Sequence, residues 1–216
     1  MRSPRIRGII FDLDGVLVHT DELHFTAWAA IAGELGIPFD RTVNARLRGV
    51  SRAESLAILL EGKPTLALSE AERDALCEKK NRLYRKSLTT LTPADIPPET
   101  RELLAGLRAR GIRPAIGSSS RNAPLILEQI GLTDAFDAVV DGSMLTAAKP
   151  DPEVFLRAAT LLRLAPSACA VVEDAPAGIQ AARRAGMVAI GLGKFAARAE
   201  PDVCLQRLSE LMDWLQ

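Results

Sequence analysis

Short runs of apolar residues recur along the chain, and each is bounded by glycine or polar residues. Val and Ile dominate these runs, as is typical of strands that are buried on both faces of a parallel sheet. From residue 97 onward, helical patterns alternate with the runs, and several of them open with proline or close with glycine. This alternation predicts an α/β fold in which helices cover a Rossmann-like parallel sheet. The predicted strands are residues 6–11, 114–117, 138–140, 170–172 and 188–190.

Residues 17–91 interrupt this alternation. They contain three long stretches with helical spacing of apolar residues and no convincing strand pattern. We therefore predict a helical domain at 17–91, inserted after the first strand, while 1–16 and 92–216 form the sheet domain. The predicted linkers between the two domains are LVHT and LTPADIPP, and three prolines stiffen the second.

Composition and charge exclude several function classes. Lys and Arg number 27 and Asp and Glu number 27, so no overall basic field indicates nucleic acid or a membrane surface. The apolar runs are shorter than the roughly 18 residues of a membrane-spanning helix, and the first is too short for a signal peptide. Cys77, Cys169 and Cys204 lie far apart, as expected of reduced thiols in a cytosolic protein. We expect a cytoplasmic monomer that acts on a small molecule.

Paired acids follow two of the predicted strands. Asp12 and Asp14 end the first strand, just before Gly15, and Glu173 and Asp174 end the fourth. Ligands bind at the carboxyl ends of strands in open parallel sheets, and carboxylates this close need a cation or a shared proton. Alone, the first pair also fits a solvated strand end and the second a helix cap. Together they favour a Mg²⁺ site, because this ion prefers oxygen ligands.

Two further strand ends carry groups suited to phosphate. The loop IGSSSRN offers Ser118, Ser119 and Ser120 ahead of a helix amino terminus, whose N–H groups can bind an anion. Lys149 precedes a proline-opened helix, where its ammonium could balance phosphate and carboxylate charge. Loop serines and surface lysines are individually common, so the inference depends on four such loops following four strands.

These motifs, in this order, resemble the haloacid dehalogenase superfamily of phosphotransferases. The resemblance implies that Asp12 is a nucleophile that forms an aspartyl phosphate, and that Asp14 is a general acid/base. It also implies one Mg²⁺ ion bound by Asp12, Asp14, Glu173 and Asp174, with Asp14 contributing its backbone carbonyl. The helical insertion corresponds to the cap domain of the superfamily, which selects the substrate. The chemistry is coherent, because Mg²⁺ and Lys149 would offset repulsion between a carboxylate and a phosphate dianion.

Longer segments resemble the β-phosphoglucomutase family in particular, among them FDLDGVLVHTDELHFTAW, LRGVSRAESL, EKKNRLY, SSSRN, AAKPDPEVF and EDAPAGIQA. The resemblance implies interconversion of β-D-glucose 1-phosphate and glucose 6-phosphate, with β-glucose 1,6-bisphosphate as intermediate and activator. It implies that Thr20, His24 and Lys80 link the cap hinge to Asp14, and that Trp28 lines the sugar site. The other implied substrate contacts are Gly49, Val50, Ser51, Arg52 and Ser55 in the cap, and Ser118, Ser119, Ser120, Arg121, Asn122 and Lys149 in the core.

Ordinary structural explanations exist for several cap residues. From spacing alone, His24 is a partly buried helix histidine, Trp28 a core residue and Lys80 a solvated lysine. Arg52 also fits an exposed helix arginine. Its position near the helix start, against the dipole, nevertheless favours an anionic partner such as phosphate.

The chain departs from the family pattern at three positions. His19 stands where aspartate is common, which changes the charge around the hinge. Arg48 and Arg121 stand where lysine is usual, and arginine could hold phosphate oxygens more rigidly.

Three other functions are compatible with parts of the sequence. A sugar-phosphate phosphatase of the same fold would share Asp12, Asp14 and the metal, while the RLRGVSR loop, His24 and Lys80 favour the mutase. The segment AIGLGK prompts a dinucleotide-binding protein, but the pattern requires a third glycine at position 196, which is Ala. A non-catalytic interaction domain would leave the acid pairs unexplained.

Overall fold

The computed structural model describes residues 6–47 and 50–216, and the chain divides into two compact units. The first unit contains the chain up to His19 together with Thr92–Gln216, and the second contains Thr20–Leu91. Each unit has a hydrophobic cluster of its own. The helical insertion is predicted from residue 17, and the second unit begins at Thr20.

A six-stranded parallel sheet forms the centre of the first unit, in the order β3-β2-β1-β4-β5-β6. The predicted α/β class is confirmed, but the sequence pattern missed the sixth strand. The strand order reverses at β1, which is the kind of position where doubly wound sheets bind ligands. The strands are β1 (Gly8–Phe11), β2 (Arg113–Gly117), β3 (Ala138–Val140), β4 (Cys169–Glu173), β5 (Val188–Leu192) and β6 (Val203–Leu205).

Ten α-helices occur in the described residues. Four belong to the second unit: α1 (Asp21–Leu35), α2 (Arg41–Ala45), α3 (Arg52–Leu60) and α4 (Glu70–Leu88). Six belong to the first unit: α5 (Thr100–Ala109), α6 (Ala123–Gln129), α7 (Glu153–Leu161), α8 (Pro176–Arg184), α9 (Gly193–Ala196) and α10 (Leu211–Trp214). None of the helices described here is both long enough and apolar enough to cross a bilayer.

The core of the first unit lies between the sheet and its helices. Ile10 and Val171 of the central strands belong to one cluster with Phe155 of α7 and Ile179 of α8, and all four are fully buried. Burying side chains of this size contributes about 1.5–3 kcal/mol each. This packing fixes β1 and β4, the strands that end in acids.

The second unit has its own amphipathic packing. Ser51 caps the amino terminus of α3, where its hydroxyl accepts a hydrogen bond from the Glu54 N–H. Ser69 caps α4 in a reciprocal arrangement with Glu72. The apolar faces of these helices meet α1 in one cluster. That cluster contains Trp28, Ile31, Ala32, Ile37, Leu47, Leu56, Leu59, Leu60 and Cys77.

Candidate active site

The register of the central strands brings the acids to one edge of the sheet. Phe11 of β1 pairs with Ile116 of β2 on one side and with Val172 of β4 on the other. The Asp12 N–H still donates to the Val172 carbonyl at 2.9 Å, so Asp12 leaves the sheet beside Glu173. The strand-end placement predicted for these acids follows directly from this register.

Asp12, Glu173 and Asp174 form a cluster of carboxylates. One oxygen of each lies within 4.8 Å of the others, and Asp12 and Glu173 are buried. The Lys149 Nζ donates to Asp12 Oδ1 at 2.5 Å and to Glu173 Oε2 at 2.7 Å. The Lys149 side chain is only 7% exposed, so its ammonium is enclosed between the two carboxylates.

The electrostatics of this cluster favour a divalent cation. Burial alone would lower the pKa of Lys149, but the Asp12 and Glu173 carboxylates outweigh it and raise that pKa, so the amine is charged. Burial raises the pKa of Glu173, and the neighbouring Asp12 and Asp174 charges raise it further, while Lys149 opposes them. A raised pKa is the expected result where carboxyl groups crowd together with no cation between them, and a bound cation would favour the ionised form of Glu173. Hard oxygen donors at this spacing fit Mg²⁺.

Two glycines make room for the acid pair that ends β4. Gly15 has a φ of +86°, and a Cβ there would lie 2.2 Å from Asp174 Oδ2. Gly178 lies in α8, and a Cβ there would lie 2.0 Å from the Glu173 Cδ. The Ala175 N–H also donates to Glu173 Oε1 at 3.1 Å, so the segment after the acids holds Glu173. Gly178 is not among the predicted site residues, although it stands in the segment EDAPAGIQA.

Asp14 lies in the turn after β1 and is half-buried. A bridge joins Asp14 to Val18, and the Gly15 N–H donates to the Val18 carbonyl at 2.7 Å, which closes the turn. The Asp14 carboxylate is not part of the three-carboxylate cluster. The metal contact through the Asp14 backbone carbonyl and the role of its carboxylate in proton transfer therefore remain predictions.

A cavity of about 370 Å³ within the first unit adjoins the acid cluster. Gly15 and Asp174 line it, together with His19, Lys194 and Arg207. The described part of this unit therefore gives the Asp174 side of the cluster an open approach.

The predicted phosphate loop follows β2, which pairs with β1, the strand that Asp12 follows. Ser118 is 2% exposed, and its Oγ accepts a hydrogen bond from the Ser120 N–H at 3.1 Å. The Ser120 Oγ accepts from the Asn122 N–H at 3.2 Å, and Asn122 is 5% exposed. Ser119 and Arg121 are exposed. Side-chain-to-backbone bonds thus fix the first half of this loop beside the nucleophile candidate.

In the second unit, α1 and α4 build a cluster of polar and aromatic side chains. Lys80 is 4% exposed and its Nζ donates to His24 Nδ1 at 2.7 Å, so it is not the solvated lysine that spacing alone predicts. The His24 ring stacks on Tyr84 with 4.0 Å between centroids. The Thr20 hydroxyl and the Tyr84 hydroxyl share a 2.9 Å hydrogen bond, and Lys80 Nζ lies 5.2 Å from the Trp28 ring centroid.

The protonation state of His24 follows from this packing. Burial, together with the positive charges of Lys80 and Arg52, lowers the pKa of His24 to about 3. The imidazole is therefore neutral at physiological pH. Because Nδ1 accepts from Lys80, the proton resides on Nε2.

Other predicted cap residues lie at the start of α3. Val50 is half-buried, Ser51 is the exposed helix cap, and Ser55 is 3% exposed. Gly49 and Arg48 lie outside the described residues. The substrate contact expected of Gly49, and the firmer hold on phosphate oxygens expected of Arg48 in place of lysine, remain predictions.

Arg52 pairs with a residue that the sequence pattern did not indicate. The Arg52 Nη1 donates to Glu78 Oε1 of α4 at 2.8 Å. Tyr84 and Glu78 were both missed because their roles depend on which faces of α1, α3 and α4 meet, and that information is absent from local spacing.

Comparison with known proteins agrees with this geometry. The model of the haloacid dehalogenase-like hydrolase family matches residues 6–186. The chain belongs to this enzyme family. Bacillus subtilis β-phosphoglucomutase is 44% identical over 207 residues, which cover 95% of this chain and 92% of that protein. The resemblance to both families drawn from the sequence motifs is thereby confirmed.

Members of the family with different activities are similar to this chain. The crystal structure of β-phosphoglucomutase from Clostridium difficile matches with a TM-score of 0.89 and 33% identity, covering 97% of both chains. A phosphorylated carbohydrates phosphatase from Thermotoga maritima is 32% identical, covering 84% of this chain and 82% of that protein. The proteins that this chain resembles therefore include both isomerases and phosphatases.

Proposed function

We propose that this enzyme is a β-phosphoglucomutase that interconverts β-D-glucose 1-phosphate and glucose 6-phosphate. The observation that carries the proposal is the 44% identity to the Bacillus subtilis β-phosphoglucomutase over nearly the whole chain. The phosphatase relative is less similar, at 32% identity over a shorter part of the chain. The arrangement of Asp12, Lys149 and the acid pair supports the phosphoryl-transfer step that this activity requires.

Asp12 is the proposed nucleophile. A carboxylate oxygen of Asp12 forms a bond to phosphorus while the bond from phosphorus to the sugar oxygen breaks, which leaves an aspartyl phosphate and a sugar hydroxyl. Lys149 lies 2.5 Å from Asp12, and its buried ammonium would offset the repulsion between carboxylate and phosphate. Asp14 would give a proton to the departing sugar oxygen and remove one from the sugar hydroxyl that attacks next.

The acid cluster is the proposed cofactor site. One Mg²⁺ ion would be held by the Asp12, Glu173 and Asp174 carboxylates with the Asp14 carbonyl. When bound, it would polarise the phosphoryl oxygens and neutralise developing charge. Glu173 is also bonded to Lys149 and to the Ala175 N–H, so we expect it to orient Lys149 as much as to bind the ion.

The second unit is proposed to select the sugar phosphate. Arg52 would bind the phosphate that is distal to Asp12, and Ser51 and Ser55 would contact the sugar. We further propose that Thr20, His24 and Lys80 influence Asp14, and that Ser118 and Asn122 bind the phosphate being transferred. The β-glucose 1,6-bisphosphate intermediate then reverses its orientation, so that Arg52 can serve either phosphate in turn.

A sugar-phosphate phosphatase is the second candidate, favoured by the similarity to the Thermotoga maritima phosphatase. Both activities pass through phosphorylated Asp12 and differ in what accepts the phosphoryl group, a sugar hydroxyl or water. Exclusion of water during the second transfer is therefore the property that separates them.

A time course with β-glucose 1-phosphate and Mg²⁺ tests the proposal. Unphosphorylated Asp12 cannot donate to the sugar, so we expect a lag that added β-glucose 1,6-bisphosphate shortens. A reaction that begins without a lag, and that the bisphosphate does not accelerate, would contradict the mutase mechanism.

A further inference from the structure

Arg52 is the first residue of α3, where its positive charge opposes the helix dipole. The structure gives this charge a partner from another helix: Arg52 Nη1 and Glu78 Oε1 of α4 lie 2.8 Å apart. The Arg52 side chain is 26% exposed and that of Glu78 is 59% exposed. The pair is therefore partly open to solvent, and a solute anion can compete for the guanidinium.

The main chain of Arg52 also contacts α4. Cys77 is the residue before Glu78 in that helix, and its Sγ lies 3.8 Å from the Arg52 carbonyl oxygen. Because α4 holds the Arg52 backbone through Cys77, the position of Arg52 does not depend on Glu78 alone. What Glu78 adds is one negative charge within hydrogen-bonding distance of the guanidinium.

A carboxylate and a phosphate place similar demands on arginine, since both accept hydrogen bonds from its planar fork. A phosphate that binds Arg52 must displace the Glu78 carboxylate or share the guanidinium with it. In the second case two anions lie close together and repel. Both cases weaken phosphate binding, and an exposed ion pair is weak enough for a phosphate dianion to overcome.

We propose that Glu78 is a positioning residue that competes with the substrate for Arg52 and thereby sets the affinity for the distal phosphate. This inference rests on the proposed function only in that Arg52 binds a substrate phosphate. Glu78 pairs with the Arg52 guanidinium when no substrate is bound. When the substrate binds, its phosphate replaces Glu78 as the partner of the guanidinium. The competition lowers affinity for the bisphosphate as well, which favours its reorientation during the cycle.

Glu78→Gln separates the charge of Glu78 from its hydrogen bonding, because the amide oxygen can still accept from Arg52. We expect KM for β-glucose 1-phosphate to fall about 1.5- to 5-fold, the range that removal of an exposed ion pair produces. Product formation is followed at saturating Mg²⁺, either as glucose 6-phosphate or as free phosphate. Phosphorylation of Asp12 by acetyl phosphate should not change, because that donor has no distal phosphate.

Two further variants make the test specific. Glu34→Gln removes a comparable exposed ion pair, between Lys79 Nζ of α4 and Glu34 Oε2 of α1 at 2.6 Å, and should leave KM unchanged. In an Arg52→Ala background, Glu78→Gln should have no effect, since the group through which it acts is gone.

The outcomes distinguish the inference from the proposed function. If Arg52→Ala leaves KM and rate unaltered, Arg52 does not bind phosphate and the proposed function loses that contact. If Arg52→Ala impairs the enzyme but Glu78→Gln leaves KM unchanged or raises it, Glu78 does not compete with substrate and the inference is overturned. An equal fall in KM for Glu34→Gln would also overturn it, because the effect would then be a general one of surface charge.

Discussion

Replacing Gly178 with alanine tests whether α8 holds the acid pair in place. Gly178 lies inside α8, where alanine improves helix propensity by about 1 kcal/mol. Against this gain, the new Cβ would lie 2.0 Å from both the Cδ and the Oε2 of Glu173. Glu173 is 1% exposed and bonded to Lys149 and the Ala175 N–H, so it cannot turn toward solvent.

The size of the effect follows from these distances. Ordinary contact begins near 3.4 Å, so the Glu173 carboxyl must retreat by more than 1 Å from its 2.0 Å position. Overpacking costs about 1–3 kcal/mol and a lost charged hydrogen bond about 1.5–3 kcal/mol. Once the gain in helix propensity is subtracted, we expect the free energy of unfolding to fall by about 1.5–5 kcal/mol. Lys149 would move with Glu173, and a displacement of about 1 Å in a catalytic group costs on the order of a hundredfold in rate.

Urea unfolding and steady-state turnover of Gly178→Ala measure both effects. Gly33→Ala is the matched control, because Gly33 lies in α1 and a Cβ there meets nothing within 4 Å. The control should gain up to about 1 kcal/mol in stability and keep its activity. If Gly178→Ala behaved like Gly33→Ala, the claim that Gly178 makes room for Glu173 would be refuted.

Histidine titration, thiol accessibility and the nucleophile give three further tests. The pKa of His24 is about 3 in the folded protein, against an ordinary value of 6.5. Between these two pH values the unfolded chain binds a proton that the folded protein does not, so the free energy of unfolding should fall as the pH decreases from 6.5 to 3. One titrating group changes the free energy of unfolding by at most about 1.4 kcal/mol per pH unit. If His24→Gln lost stability in acid as steeply as the wild type, His24 would not be the source of this dependence. Cys204 is exposed and should react with a thiol reagent in the native protein, whereas Cys77 and Cys169 are buried and burial raises the pKa of Cys169 to about 11. More than one fast-reacting thiol would show that this burial is wrong. Asp12→Asn should unfold cooperatively but take up no phosphate from acetyl phosphate, and uptake at the wild-type level would place the nucleophile elsewhere.

Most of the sheet could be predicted from sequence because its strands are buried on both faces and appear as continuous apolar runs. β6 escaped prediction because its middle residue, Cys204, is exposed and only its last residue, Leu205, is buried. Pairing with β5 defines it instead, and Asp202 secures that pairing by accepting a hydrogen bond from the Ala189 N–H at 2.8 Å. Contacts of this kind leave no periodic pattern of apolar residues in the sequence.

The same distinction applies to the candidate site. The acids could be located from sequence because strand ends in a parallel sheet converge, so position along the chain predicts proximity. The surroundings of Lys80 could not be predicted, because α4 has a charged pattern, and the aromatic rings of Trp28 and Tyr84 near the Lys80 ammonium come together only through packing of α1 on α4. Tyr84 contacts Thr20 across 64 residues of sequence, and no local pattern links the two.

The fate of the phosphoryl group tests the central claim most directly. Purified enzyme is incubated with β-glucose 1-phosphate, Mg²⁺ and a trace of β-glucose 1,6-bisphosphate, and both glucose 6-phosphate and free phosphate are quantified as substrate is consumed. A mutase converts most of the substrate to glucose 6-phosphate, with free phosphate a minor product. Release of one phosphate for each substrate consumed, with no glucose 6-phosphate formed, would contradict the mutase assignment and make the enzyme a phosphatase.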